Sequence, residues 1–431
     1  MDYLIIGSQA GMKMPFLIFQ LKNIMRKLFF LIVLFGFTGS YSEAALPDSL
    51  IIKKVNELAA GIQKRFAPDR RTEYFQMRLQ TAEPLTYTLE LSKPEAATEL
   101  KALLLRENID VIINEELLPS KTLGDKVYGI SNLSVSNNRY APNHAAEMAT
   151  QSILGTPVKI LKKERGYYFV RTPDNYLSWT ESAGLAPMNK AEFENWQTAE
   201  KVIYTDLFGQ AYSEASESSL PVSDLVAGNI LQVLSETNGF YKVSFPDKRI
   251  AFISVKKARA FDQWKSRPNP NAEQILKTAR SFLGIPYLWG GTSVKGMDCS
   301  GFTKTSYFMN GIVLPRDASQ QALVGDKIDI SENDTVSVAK ALKILKPGDL
   351  LFFAGDKRNM RVTHTAIYMG GGEFIQAAGL VRINSMISGS KNYDDFQSRT
   401  LVGARRMLTA IGDPEVTRVD QHPYYQRVLN Q

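Results

Sequence analysis

The sequence predicts an α+β protein: a small N-terminal α/β domain, two small β-barrels in tandem, and a mixed C-terminal domain that carries the chemistry. Three observations predict it. Helical and strand periodicities alternate over residues 45–128, short strands and turns recur at a constant offset of 73 residues between about 130 and 260, and helix-like runs precede strand-like runs after about 270. At 431 residues the chain exceeds one ordinary core, and its 44% hydrophobic and 22% charged residues argue for a folded chain.

The first element is a candidate export signal. Arg26 and Lys27 precede the apolar run Leu28 to Phe37, and Ser-Glu-Ala ends at Ala44. Residues 1–44 are therefore expected to be cleaved, with Met25 a candidate start; the other reading is an uncleaved anchor. The apolar run is short for a bilayer span, and no cysteine follows it for lipid attachment. The formal charge of +7 falls to +5 without these residues, which carry four cations and two anions. No basic stripe is interleaved with aromatics, so nucleic acid is not an expected partner.

In residues 45–128, LPDSLIIKKVNELAAGIQKRF and PEAATELKALLLREN read as helices, and EPLTYTLEL alternates like a strand. No chemistry is visible there. Next, GTPVKILKKERGYYFVRTPDNYLSW from Gly155 aligns without a gap on GNILQVLSETNGFYKVSFPDKRIAF from Gly228, matching Gly166 to Gly239 and Pro173–Asp174 to Pro246–Asp247. The two copies, residues 129–190 and 199–260, resemble bacterial SH3-like domains found beside cell-wall enzymes. Tyr176 falls opposite Arg249, so it reads as a surface or site residue, whereas Trp179 opposite Phe252 reads as core. The linker KSRPNPNAEQ leads to the last domain, residues 270–410, and a tail, residues 411–431.

That domain holds Cys299, the one cysteine of the chain, which excludes an internal disulfide. It sits in DCSG at the start of a helix-like run ending near Gly311. A helix start favours a thiolate, and a thiolate is the nucleophile of cysteine peptidases. Three histidines are available as a base. His144 lies in the first barrel and His422 in the polar tail, while His364 opens a strand–turn–strand run that carries Gln376 twelve positions later. Neighbouring strands can hold an imidazole against the thiol while the Gln376 amide orients the ring. Asp298 reads equally as a helix cap. Gly370–Gly372 is a hairpin turn without the lysine of a phosphate loop, and no residue cluster has metal spacing, so neither cofactor nor metal is expected.

DCSG at a helix start, PGDLLFF, HTAIY and a polar residue after a Gly-rich turn together resemble the NlpC family of cell-wall cysteine peptidases, papain-like in fold. YLWGG from Tyr287 and LPRDASQQ from Leu314 stand where that family has similar strings. The resemblance implies Cys299 as nucleophile, its backbone N–H as an oxyanion donor, His364 as general base, Gln376 as third member and Tyr287 as support. It also implies that Asp298 and Ser300 bind the free amino terminus of a peptidoglycan stem peptide, with Glu147 and Tyr176 of the first barrel as further contacts. Histidine is the commoner third member, so Gln376 departs from the pattern. The implied activity is an exported, cell-envelope endopeptidase cutting between γ-D-glutamate and the diamino acid. A CHAP-like amidase or endopeptidase on intact wall and a catalytically inert wall-binding protein remain open, as do the diamino acid and the oligomeric state.

Overall fold

The computed structural model describes residues 48–355, 358, 360–394 and 400–426. The expected export signal lies outside the described residues. The chain first forms the helix Asp48–Phe66, whose acidic start and basic last turn complement the helix dipole. It shares a core with the helix Pro94–Arg106 and a three-stranded sheet. In that sheet Phe75–Ala82 pairs antiparallel with Leu85–Leu91, which pairs parallel with Ile112–Leu117. Val55, Ile62, Tyr87, Leu89 and Leu100 are fully or almost fully buried between the layers.

Two seven-stranded sheets follow, spanning residues 128–188 and 201–260. Read in the same direction, they have one strand order. Leu185–Met188 leads in the first, then Tyr128–Ser131, Pro157–Glu164, Tyr167–Arg171, Leu177–Glu181, Val135–Arg139 and Met148–Ile153. The second begins with Ala258–Ala260 and ends with Pro221–Val226 in the equivalent sequence of steps. The 73-residue repeat is thus a repeat of topology. Its glycines Gly155 and Gly228 both adopt positive φ, and both face the neighbouring copy. A Cβ on Gly155 would lie 2.3 Å from the Ile230 carbonyl oxygen, and one on Gly228 would lie 2.7 Å from Ile153 Cδ1. Arg249, the counterpart of Tyr176, donates to the Asn132 carbonyl and so ties the second sheet to the first.

The last domain places the helices Ala272–Ser281 and Cys299–Phe308 against a six-stranded antiparallel sheet. Its order is Asp326–Ile328, Thr400–Arg406, Leu350–Ala354, Val362–Gly370, Glu373–Ala378 and Leu380–Ser385. Asn271 and Gln274 form a capping box on the first helix, as the sequence NAEQ suggests. Together with the barrels this is the α+β architecture expected, papain-like at its C-terminal end.

Residues 411–426 do not hang free as a polar tail. Val416 and Val419 are fully buried and Tyr425 is 7% exposed, packed with Phe261, Trp264 and Phe308. His422 Nε2 pairs with the Pro173 carbonyl at 2.8 Å. Gln197 donates to the Pro423 carbonyl, and the Val419 N–H to that of Gly311. Sequence polarity concealed this because only every third or fourth residue of the segment is apolar. Residues 48–426 therefore behave as one compact unit. No helix among the described residues is long and apolar enough to cross a membrane.

Candidate active site

Cys299 is the first residue of its helix, and Asp298 is the N-cap, its Oδ1 accepting from the Gly301 N–H at 2.6 Å. The glycine is required by packing. A Cβ at Gly301 would lie 2.0 Å from the Gly291 carbonyl oxygen, which itself accepts from the Asp298 N–H at 3.0 Å. The loop Tyr287–Gly291 is thereby pressed against the helix start, and Tyr287 and Trp289 line the resulting cavity. As a first-turn residue, Cys299 has a backbone N–H without an intrahelical acceptor, as an oxyanion donor needs.

The sulfur meets the strand Val362–Gly370 from the other side, receiving the backbone N–H of Thr365, the residue after His364. His364 Nε2 lies 2.7 Å from Gln376 Oε1. The amide's orientation is set by its other end: Gln376 Nε2 donates to Asn384 Oδ1 at 2.8 Å and to Asp394 Oδ2 at 3.2 Å. Asn384 in turn spends its own N–H₂ on the Asn392 carbonyl, so its oxygen faces Gln376. Since Gln376 Oε1 can only accept, His364 carries its proton on Nε2 and leaves Nδ1 as the basic nitrogen. The register explains the meeting: continuing the pair Ile367–Ile375 sets Gln376 opposite Ala366, two places from His364 on the same face. His364 is 8% exposed and Gln376 fully buried.

Burial pushes the Cys299 thiol up to about 12, and the Asp298 carboxylate adds to this; the N–H groups of Thr365 and Ser300 and the charge of Arg316 oppose it only in part. A lowered value was expected from the helix end. Desolvation and a neighbouring anion outweigh that effect. These influences favour the neutral thiol over the thiolate.

Asp298 and Ser300 both reach the wall of the cavity, about 520 Å³ in volume. Their polar atoms are nevertheless engaged. Arg316, 1% exposed, grips both Asp298 oxygens (Nη1–Oδ1 3.1 Å, Nη2–Oδ2 2.5 Å), and Gly290 N–H adds to Oδ2. Arg316 also donates to Ser300 Oγ at 3.0 Å and to Thr150 Oγ1 of the first barrel at 2.9 Å. A substrate amine would have to compete with a buried guanidinium for Asp298. The carboxylate with an accessible side on the cavity is the next residue, Asp317. Tyr176 is fully buried and does not line the cavity; its hydroxyl donates to Asp317 Oδ2 at 3.0 Å and pairs with Tyr140 at 2.9 Å. Tyr140 is the first-barrel tyrosine on the cavity wall. Glu147 stands at the rim, accepting from Trp289 Nε1 at 2.6 Å. His144 pairs with Tyr167 and His422 with Pro173, both away from the cavity.

The structure thus adds Arg316, Asp317, Tyr140, Asp394 and Arg71 to the residues read from sequence. LPRDASQQ carried the first two in plain view, but nothing in it signals that its arginine is buried. Asp394 follows no motif. Among the described residues no group of histidine, cysteine and carboxylates could hold a metal ion.

The model of the NlpC/P60 family matches residues 284–406, and that of the bacterial dipeptidyl-peptidase Sh3 domain matches residues 138–185. The chain is similar to the gamma-D-glutamyl-L-lysine dipeptidyl-peptidase of Bacillus cereus, 31% identical over 244 residues, which is 54% of this chain and 68% of that protein. A protein of the same name from Bacillus subtilis is 34% identical over 168 residues, covering 38% of this chain and 49% of that one. A solved NlpC/P60 family structure from Bacillus cereus superposes with a TM-score of 0.54 at 25% identity, over 65% of this chain and 99% of its own. The chain belongs to the NlpC/P60 family. It is a cysteine peptidase with SH3-like domains ahead of its peptidase domain.

Proposed function

We propose that this peptidase hydrolyses the bond between γ-D-glutamate and the diamino acid of peptidoglycan stem peptides with a free N-terminal L-alanine, and that it does so as an exported protein of the cell envelope. The observation that carries the reading is the relay of side chains from Asp394 and Asn384 through Gln376 to His364, on the strand whose next residue, Thr365, brings its N–H to the Cys299 sulfur. The names of the Bacillus relatives support the bond, and the 68% coverage of one of them supports applying it to this chain.

The mechanism follows from the geometry. His364 Nδ1 removes the Cys299 proton as the sulfur attacks the γ-carbonyl carbon, and the imidazolium is held by Gln376 Oε1 through Nε2–H. The developing oxyanion meets the Cys299 N–H, with Tyr287 at its side. Collapse breaks the C–N bond, His364 protonates the leaving amine, and a thioester remains. Water, deprotonated by His364, then releases the dipeptide and restores the thiol. The substrate's charged amine is received at the Asp317 and Glu147 end of the cavity, where Tyr140 also stands. Asp298 serves chiefly to seat the helix and Arg316.

Cys299→Ala tests the proposal. L-Ala-γ-D-Glu-L-Lys and its diaminopimelate counterpart should be split by the wild type into L-Ala-γ-D-Glu and the free diamino acid. The variant should retain the melting temperature and lose turnover by a factor of at least about 10⁴. Product masses that place the cut elsewhere, or turnover by the variant, would refute the reading.

A further inference from the structure

The N-terminal α/β domain has so far had no role, yet one of its side chains stands in the catalytic cavity. We propose that Arg71 is a specificity-determining residue that closes the far end of this cavity and positions Asp317, restricting the enzyme to peptides with an unblocked amino terminus. The inference deepens the proposed function and rests on it.

Arg71 is held as a rigid fork. Its Nε and Nη2 donate to the two oxygens of Asp69, each at 2.8 Å, and Asp69 is itself fixed by Gln320 Nε2 at 2.9 Å. This leaves Nη1 to reach across to the peptidase domain, where it donates to Asp317 Oδ2 at 2.8 Å and Ser319 Oγ at 2.9 Å. Tyr176 donates to the same Asp317 oxygen. Both donors converge on Oδ2, while Oδ1 is 3.9 Å from Arg316, beyond hydrogen-bond reach. Two other parts of the chain, the N-terminal domain and the first barrel, thus fix the carboxylate in one orientation. The Asp69–Arg71–Asp317 group keeps a net charge of −1, and Glu147 at the rim adds another. A cation is the ligand this end of the cavity favours.

The second observation concerns space. Between the N-terminal domain and the first barrel runs a groove of about 770 Å³, lined by Gln63, Tyr74 and Arg78 on one side and by Asn143 and Lys162 on the other. Arg71 and Tyr140 line both this groove and the catalytic cavity. They are the partition between the two. An acylated or glycan-linked peptide would have to send its extra atoms through that partition, and it would also lack the charge that Asp317 receives.

The test compares L-Ala-γ-D-Glu-L-Lys with its N-acetyl form in steady-state kinetics. The wild type should favour the free peptide in kcat/KM by about 100-fold or more. Arg71→Ala should raise KM for the free peptide by about 10- to 100-fold with kcat within about threefold, and should raise turnover of the acetylated peptide, so that the preference falls below about tenfold. Arg71→Lys should recover part of it. Tyr140→Ala opens the partition while keeping Asp317's link to Arg71, and should raise turnover of the acetylated peptide relative to that of the free one; it also serves if Arg71→Ala fails to fold. Equal losses on both peptides, a fall in kcat with the preference intact, or a wild type indifferent to acetylation would each overturn the assignment. A wild type that cleaves neither peptide would instead sink the underlying function, and this inference with it.

Discussion

At the scale of single residues, the catalytic centre is decided by what each polar group has left to offer. Gln376 spends its N–H₂ on Asn384 and Asp394, so its oxygen has to meet His364 Nε2–H, and the histidine's basic nitrogen is selected two residues away from the chemistry. Asp298 spends both oxygens on Arg316, Gly290 and Gly301, and this is why the proposed site for a cation is Asp317. Cys299 has burial and Asp298 against its ionisation. The consequence is measurable. Because the thiol's value lies near 12, the thiolate fraction grows about tenfold per unit between pH 7 and 9, and the alkylation rate with iodoacetamide should grow with it. A rate that levels off below pH 8 would show a preformed thiolate. The pairing of His364 with Gln376, and the place of Cys299 at a helix start, were legible in sequence because one cysteine, one strand-borne histidine and a following polar residue narrow the choice. Arg316 and Asp394 could not, since partner choice in a buried network is set by three-dimensional contact and leaves no periodicity.

At the scale of elements, glycines set how closely the pieces approach. Gly301 lets the Tyr287–Gly291 loop touch the catalytic helix, which forms one wall of the cavity around the sulfur. Gly301→Ala should cost about 2 kcal/mol or more in stability, since a backbone oxygen at 2.0 Å cannot turn aside as a flexible side chain can. Denaturant unfolding would measure this, and kcat should fall because the loop has to retreat. Urea midpoints equal to wild type would show that the approach is not rigid. Element existence was legible: both capped helices, the strand pair of His364 and Gln376, and the duplicated strands followed from periodicity and turn residues. The fate of Tyr176 was not. Its mismatch with Arg249 marked it as special, but both side chains turn out to bind neighbouring domains, Tyr176 through Asp317 and Arg249 through Asn132. A difference between repeats can signal docking as readily as substrate contact.

At the scale of the whole molecule, stability and activity share the same junctions. Lys304 of the catalytic helix pairs with Asp174 of the first barrel, whose side chain is 1% exposed. Burial alone would raise the Asp174 carboxyl, but Lys304 and the Thr172 hydroxyl prevail and hold it below its ordinary 3.8. A depressed folded value means that this pair stabilises the protein above the unfolded carboxyl's range and loses that contribution as pH falls through the folded value. Asp174→Asn should therefore lower stability at pH 7 by about 3 kcal/mol and flatten the decline in melting temperature below pH 4. Calorimetry from pH 7 to 2.5 would check both. An unchanged acid limb would mean that other carboxylates govern it.

The segment 411–426 adds a temporal dimension. Each barrel contains hairpins between near neighbours in sequence, Pro157–Glu164 with Tyr167–Arg171 and Ile230–Thr237 with Phe240–Ser244, and such local ladders form early. The closing segment joins residues near 420 to Pro173, Gln197 and Gly311, contacts that wait until residues 411–426 are in place. Docking of this segment is thus expected to follow the folding of the domains it joins. The order in which the domains lock together is thereby written into the connectivity of the chain and not into the strength of any one contact.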